Sequence, residues 1–209
     1  MTRPNDDSVT HYLCEWNQEI KDLADDKGFT VHDLKGKDAT KENTVSHLKK
    51  QAYDFIIFNG HGDPNKIAGH KKEVIIQGGD NHQLLKTKIV YSVACSSARE
   101  LGPKCVDSET KSYIGYENDF SLVRDKNMTS RPLQDEYAKP CLRASNQIAV
   151  SLIKGRKVSE ATEQARKCFH NEILRLQSSE SLIGAGDIVM CLIWNLASLK
   201  AIGDLETTI

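Results

Sequence analysis

Two residues that can do chemistry, His61 and Cys95, each follow a short apolar run. Residues 55–58 (Phe-Ile-Ile-Phe) precede an Asn-Gly-His-Gly sequence, and residues 89–93 (Ile-Val-Tyr-Ser-Val) precede Ala-Cys-Ser-Ser-Ala. Short apolar runs that end at small residues predict buried strands. Sites in open α/β sheets form where parallel strands end, so adjacent strands would place the imidazole beside the thiol. This pattern predicts a cysteine nucleophile with a histidine acid/base.

The residue types around this pair suit acyl transfer. The small residues after Cys95 favour an exposed thiol on a turn, and a helix start there is an alternative. A helix N-terminus and a nearby imidazole would both lower the pKa of the thiol. We expect the amides of Gly62 and Cys95 to bind an oxyanion, an interaction often worth about 3–4 kcal/mol of barrier. Each residue alone is weaker evidence, because a lone cysteine after an apolar run is usually a small buried residue. His-Gly sequences are likewise common in turns, so the prediction depends on the pair.

Composition limits the classes of function. The length of 209 residues suits a single domain over residues 1–209, and the net charge of −1 gives no case for nucleic acid or an anionic membrane as partner. The polar start of the chain predicts no signal peptide, and six cysteines without regular spacing predict a reducing, cytoplasmic setting. No Cys-x-x-Cys pair is present, so we expect no metal site and no cofactor. The apolar run 188–194 is too short for a membrane span and favours a buried helix or strand.

Hydrophobic periodicity predicts alternating helices and strands. Such an order favours a parallel sheet with crossover helices, and we expect a three-layer α/β/α sandwich. The expected helices are 11–27, a short one around Val45 and Leu48, 140–154, 159–176 and 184–195. The expected strands are 29–34, 55–58, 89–93, 112–116 and 196–202, with a hairpin at 67–76 and a short polar link at 99–111.

The motifs resemble those of the caspase-like (clan CD) cysteine peptidases, closest to their gingipain-like and CHAT branches. The similarity lies in Phe-Ile-Ile-Phe-Asn-Gly-His-Gly, then Ile-Ala-Gly-His, then Lys-Ile-Val-Tyr-Ser-Val-Ala-Cys-Ser-Ser-Ala-Arg-Glu-Leu-Gly, and it extends over residues 53–204. The resemblance implies a caspase-like fold, with His61 as the base and Cys95 as the nucleophile. It also implies a thioester intermediate and a pair that needs no third residue.

One departure from this family concerns the first strand of its core. The family fold begins with a strand before the first helix, but here only residues 1–10 precede the expected helix and include no apolar run. Three alternatives follow: residues 8–10 (Ser-Val-Thr) form a remnant strand, the strand is absent, or another chain supplies it.

Three acidic residues are candidates for substrate binding. In the family, the segment after the strand that follows the catalytic cysteine lines the specificity pocket, and here it contains Glu117 and Asp119, while Asp63 comes just after the His-Gly motif. A carboxylate in that pocket would select Arg or Lys before the cleaved bond. The alternative is that these acids are solvated loop residues.

The expected function is that of a cysteine endopeptidase acting on a protein or peptide substrate. By family analogy, a separate regulatory partner protein would control it, for example in bacterial defence or cell death. The principal alternative is a catalytically silent, caspase-like interaction module that depends on a partner. A second alternative is a hydrolase or transferase that acts on a non-peptide acyl group.

Overall fold

A six-stranded, mainly parallel sheet forms the centre of the protein, and the computed structural model describes residues 1–178 and 184–209 around it. Its spatial order is β2-β1-β3-β7-β8-β9, and only β9 runs antiparallel, beside β8. Strands β4 to β6 form a small antiparallel sheet. The strands are β1 (Thr2–Arg3), β2 (Leu34–Lys35), β3 (Phe55–Asn59), β4 (Gly62–Asp63), β5 (Lys66–Ala68), β6 (Val74–Gln77), β7 (Ile89–Val93), β8 (Ser112–Tyr116) and β9 (Leu199–Gly203).

Helices cover both faces of the large sheet. Successive strand residues point to opposite faces, so Ile57 packs in one core and Ile56 and Phe58 in the other. The first core includes α1, α2, α5, α6 and α7; the second includes α4 and the small sheet, with α3 against its edge. These helices are α1 (Ser8–Trp16), α2 (Gln18–Asp26), α3 (Lys41–Lys50), α4 (Leu101–Asp107), α5 (Lys139–Ile153), α6 (Val158–Ser178) and α7 (Ala185–Ser198). The layering is compatible with a three-layer sandwich.

The α/β class and the mainly parallel sheet are confirmed, while several element boundaries were wrong. The single helix expected at 11–27 is two helices, because Asn17 ends α1 and begins α2. The strand expected at 29–34 is reduced to β2, since its neighbour β1 offers only two residues for pairing. The link 99–111 contains α4, and the apolar run 188–194 lies within α7. Among the described residues, no helix is long and apolar enough to cross a lipid bilayer.

The first strand of the core is present, and it lies earlier in the chain than residues 8–10. Thr2–Arg3 pairs in parallel with both β2 and β3, whereas Ser8-Val9-Thr10 forms the first turn of α1. The strand was missed because it has two residues and no apolar run. Arg3 is 1% exposed, and its guanidinium is paired with Asp33. Burial of Arg3 is therefore tolerated through its hydrogen bonds rather than through hydrophobicity.

We expect Asp33→Ala to lower the free energy of unfolding by about 3 kcal/mol, because breaking one partner of a buried pair leaves an uncompensated charge. Urea denaturation measures this change. Asp25→Ala is the matched control, since Asp25 and its partner Lys21 are solvent-accessible and such a pair contributes about 0–1 kcal/mol. Equal losses in the two variants would contradict a special role for the Arg3 pair.

Candidate active site

The sheet register places His61 and Cys95 at matching positions. Strands β3 and β7 pair in parallel from Phe55 with Ile89 to Asn59 with Val93. The Gly60 amide extends the ladder by donating to the Val93 carbonyl over 3.3 Å. His61 and Cys95 each lie two residues beyond the last pair, so the expectation that both follow adjacent strands at one edge of the sheet is confirmed.

Two glycines allow the chain around His61 to lie close to its neighbours. Gly60 has a φ of +146°, and a Cβ there would lie 2.3 Å from the Ala68 carbonyl oxygen. A Cβ at Gly62 would lie 2.9 Å from the Cys95 carbonyl oxygen. Since real Cβ atoms do not approach so closely, any side chain at Gly62 would push the histidine segment away from the cysteine turn.

Asp7 connects the start of α1 to the imidazole of His61. Its Oδ1 atom caps the helix by accepting from the amides of Val9 and Thr10, each over 2.9 Å. The Thr10 hydroxyl accepts in turn from the Asp7 amide over 3.0 Å, which completes a capping box. The second carboxylate oxygen, Oδ2, bonds the His61 Nε2 atom. The helix cap therefore fixes the carboxylate that orients the imidazole.

The charge state of Asp7 determines which imidazole nitrogen is free. Partial burial would raise the pKa of this carboxyl, but hydrogen bonds from His61 and Thr10 outweigh it and lower the pKa to about 2. The carboxylate is thus an acceptor near neutral pH, and Nε2 of His61 is the donor. In the neutral imidazole the remaining nitrogen, Nδ1, then has a free lone pair. Nδ1 is the atom of this histidine that can take a proton from a thiol.

Sequence reasoning missed Asp7. The available signal was the spacing of Asp7 and Thr10, which matches a helix-start pattern and would have moved the start of the expected helix from residue 11 to residue 8. The contact with His61 spans 54 positions, so the local pattern could not reveal it.

Cys95 lies in a turn after β7 rather than at a helix start. The turn includes Ser96 at a φ of +56°, and α4 begins only at Leu101. Burial raises the pKa of the Cys95 thiol; the amides of Phe120 and of Cys95 itself act in the opposite direction, and the charge of Asp119 adds to the increase. The expectation that a helix N-terminus would lower this pKa is therefore wrong. The free thiol is protonated near neutral pH and requires a base.

The amides of Gly62 and Cys95, which were predicted to bind an oxyanion, are not used by the strand pairing of β4 with β5 or by a helix. Ala68 donates its amide to the His61 carbonyl over 2.8 Å, which makes Gly62 and Ile67 the non-hydrogen-bonded pair of the antiparallel ladder. The Gly62 amide therefore points away from β5. The Cys95 amide lies beside its own sulfur, where it lowers the thiol pKa.

The three acidic candidates for substrate binding have different surroundings. Glu117 pairs with Lys200, and Asp63 pairs with Lys66 over 3.0 Å. Asp119 instead accepts a 2.9 Å hydrogen bond from the hydroxyl of Ser96, the residue after Cys95. Of the three acids, Asp119 is the one whose charge acts on the Cys95 thiol.

Helix α7 holds the loop that contains Asp119. Asn195 donates to the Ser121 carbonyl over 2.7 Å and accepts from the Ser121 amide over 2.8 Å. The Trp194 indole nitrogen donates to the Asp119 carbonyl over 2.8 Å. The loop is thus fixed between the cysteine turn and α7, so Asp119 has a defined position beside the thiol.

Neither metal ligands nor known relatives add to this assignment. In the part of the chain that the structure describes, no group of three or more His, Cys, Asp or Glu side chains could hold a metal ion. Comparison with protein-family models, with curated proteins and with solved structures found no match. A proposed function therefore rests on the sequence motifs and on the geometry and charges of the residues themselves.

Proposed function

We propose that the protein is a caspase-like cysteine endopeptidase in which Cys95 is the nucleophile and His61 the general acid/base. The observation that supports this most strongly is the placement of both residues at matching positions beyond adjacent parallel strands, with Asp7 on the distal imidazole nitrogen. A thiol and a base are the parts that nucleophilic acyl transfer requires, and Asp7 adds a group that orients the base.

The proposed reaction proceeds through a thioester. The Cys95 thiol gives its proton to Nδ1 of His61, and the sulfur attacks the peptide carbonyl carbon. The amides of Gly62 and Cys95 stabilise the oxyanion. The tetrahedral intermediate collapses with cleavage of the C–N bond, and His61 returns the proton to the leaving amine. Water then attacks the thioester with His61 as base, releasing the carboxylate product and the thiol.

Asp7 remains ionised throughout this cycle. Its carboxylate holds Nε2 as a donor and stabilises the imidazolium that forms when Nδ1 takes the proton. Its pKa of about 2 keeps it charged at any pH at which an imidazole can act as a base.

Asp119 is the proposed determinant of cleavage after Arg or Lys. A basic side chain bound beside this carboxylate would pair with it and be held close to the cysteine turn. The same pairing would offset the negative charge that raises the pKa of the Cys95 thiol. A basic substrate would therefore favour formation of the thiolate that attacks it.

We expect Asp119→Asn to change two measurements in opposite directions. The kcat/KM for a peptide with Arg before the cleaved bond should fall about tenfold or more, because the pairing is lost. The rate of alkylation of free Cys95 by iodoacetamide near pH 7 should rise, because the nearby negative charge is removed. Initial rates with a fluorogenic peptide measure kcat/KM, and a pH series of alkylation rates measures the reactivity of the thiol.

Glu117→Gln is the matched control, since Glu117 already has Lys200 as partner and should affect neither measurement strongly. The paired peptide with Asp in place of Arg tests selectivity directly. Preference for the Asp peptide, or a decrease in both measurements for Asp119→Asn, would reject basic specificity through Asp119.

A silent interaction module is the second candidate, and one observation favours it. The raised pKa of the Cys95 thiol leaves the free protein without a preformed thiolate. Such a site would react only after a partner or substrate changes its charge balance. Covalent labelling of Cys95 by a peptidyl acyloxymethyl ketone distinguishes the two, because a silent module would not react with it.

A further inference from the structure

The outer face of α7 is apolar where the outer face of a helix is normally polar. Met190 is 66% exposed, Trp194 is 47% exposed and Ile193 is 44% exposed. Ile193 and Trp194 follow Met190 by three and four positions, so both lie beside it on the helix surface. Asp187 is the one charged residue of Ala185–Ser198. We call Met190, Ile193 and Trp194 the α7 patch.

Trp194 connects the α7 patch to the candidate active site through hydrogen bonds. Its Trp194 donates to the carbonyl of Asp119, and the carboxylate of Asp119 accepts from Ser96 beside Cys95. A path of two hydrogen-bonded residues thus leads from the patch to the turn of the nucleophile. Trp194, which belongs to the apolar patch, and Asp119, which carries the carboxylate, are direct neighbours on this path.

We propose that the α7 patch binds apolar side chains that precede the basic residue of the peptide substrate, with Trp194 as the specificity-determining residue. This inference rests on the proposed function, because it extends the same site by one surface. The charge pattern defines the ligand: Asp119 is complementary to Arg or Lys, and the uncharged patch is complementary to large apolar neighbours. The substrate class is therefore a peptide in which apolar residues precede a basic one.

The test uses two fluorogenic peptides that end in Arg and differ only in the two residues before it, Leu-Phe in one and Ser-Ser in the other. Wild-type protein should hydrolyse the Leu-Phe-Arg peptide with the lower KM. Trp194→Ala should raise that KM about tenfold or more, and should raise the KM of the Ser-Ser-Arg peptide by a clearly smaller factor, which comes only from the lost hydrogen bond to the Asp119 carbonyl. Trp194→Phe should retain most of the preference, because it keeps an apolar ring while losing the indole donor.

Phe29→Ala is the control for loss of an exposed aromatic residue. Phe29 is 41% exposed and lines a cavity of about 260 Å³ with Tyr53 and Phe55, at the start of β3 and so away from the cysteine turn. Its removal should change neither KM. Equal KM values for the two peptides, or a Trp194→Ala protein that behaves like wild type, would overturn the inference.

Binding can be measured without turnover. In Cys95→Ala, Trp194 is the accessible tryptophan, while Trp16 is only 6% exposed. The Leu-Phe-Arg peptide should change the intrinsic fluorescence with a Kd about tenfold below that of the Ser-Ser-Arg peptide. The same change with no hydrolysis by wild-type protein would reject the peptidase but support the patch. Hydrolysis with no fluorescence change and no peptide preference would reject the patch alone.

Discussion

Replacement of Cys95 by alanine is expected to abolish covalent labelling by a peptidyl acyloxymethyl ketone and to reduce peptide hydrolysis by at least about 10⁴-fold. The reason is chemical, because the thioester requires the sulfur and no neighbouring hydroxyl can replace it at the same position. Intact-mass measurement of labelled protein and a fluorogenic peptide assay provide the two readouts. His61→Ala should give a loss of similar size, since the thiol needs a base.

Two controls make this result specific. Cys168→Ala removes a partly buried thiol on α6 and should leave labelling and hydrolysis unchanged. The double variant Cys95→Ala/His61→Ala should be no worse than either single variant, because residues that act as a unit are non-additive. The assignment of the nucleophile would be contradicted if Cys95→Ala were still labelled. It would also be contradicted if the label in the wild-type protein were found on Cys168.

The strands around the catalytic pair could be predicted because their signals are local. Ile56, Phe58 and Val90 lie in continuous apolar runs that both faces of a covered sheet require. Glycines beside His61 and small residues after Cys95 mark the ends of those runs. The juxtaposition then followed from one general rule about parallel strands, which the register of β3 and β7 satisfies.

The remaining parts of the site depend on contacts between residues that are distant in sequence. Strand β1 gives no apolar signal, because it has two residues and both are polar: Thr2 and the buried Arg3, which is held by Asp33 at a separation of 30 positions. By sequence alone, Glu117 and Asp119 are equivalent loop acids. Only the fold shows that Glu117 pairs with a lysine and that Asp119 accepts a hydrogen bond from Ser96. Periodicity cannot report such pairings.

Asp7→Asn is expected to reduce kcat by about 10²-fold or more while leaving the fold intact. Asparagine caps helices about as well as aspartate, so α1 should keep its first turn. The amide cannot stabilise an imidazolium, and its NH₂ group can hold His61 in the unproductive tautomer, a change that costs about 10⁴-fold in the unrelated Ser-His-Asp triad of a serine protease. Asp6→Asn is the matched control, since the adjacent Asp6 lies near His70 rather than His61.

The pH dependence of stability in wild type and in Asp7→Asn should separate the contribution of Asp7 to the fold from its contribution to His61. Because the folded-state pKa of Asp7 lies at about 2, below the ordinary value of 3.8 for an aspartate, its ionised form contributes stability above pH 4 that is lost as pH falls toward 2. The carboxylate is one-third exposed, so this contribution should be only about 1 kcal/mol. Urea denaturation at pH 6 and pH 2.5 should show wild type losing more stability than Asp7→Asn. A normal kcat in Asp7→Asn together with this pH-dependent loss would mean that Asp7 stabilises α1 and the fold but does not assist His61.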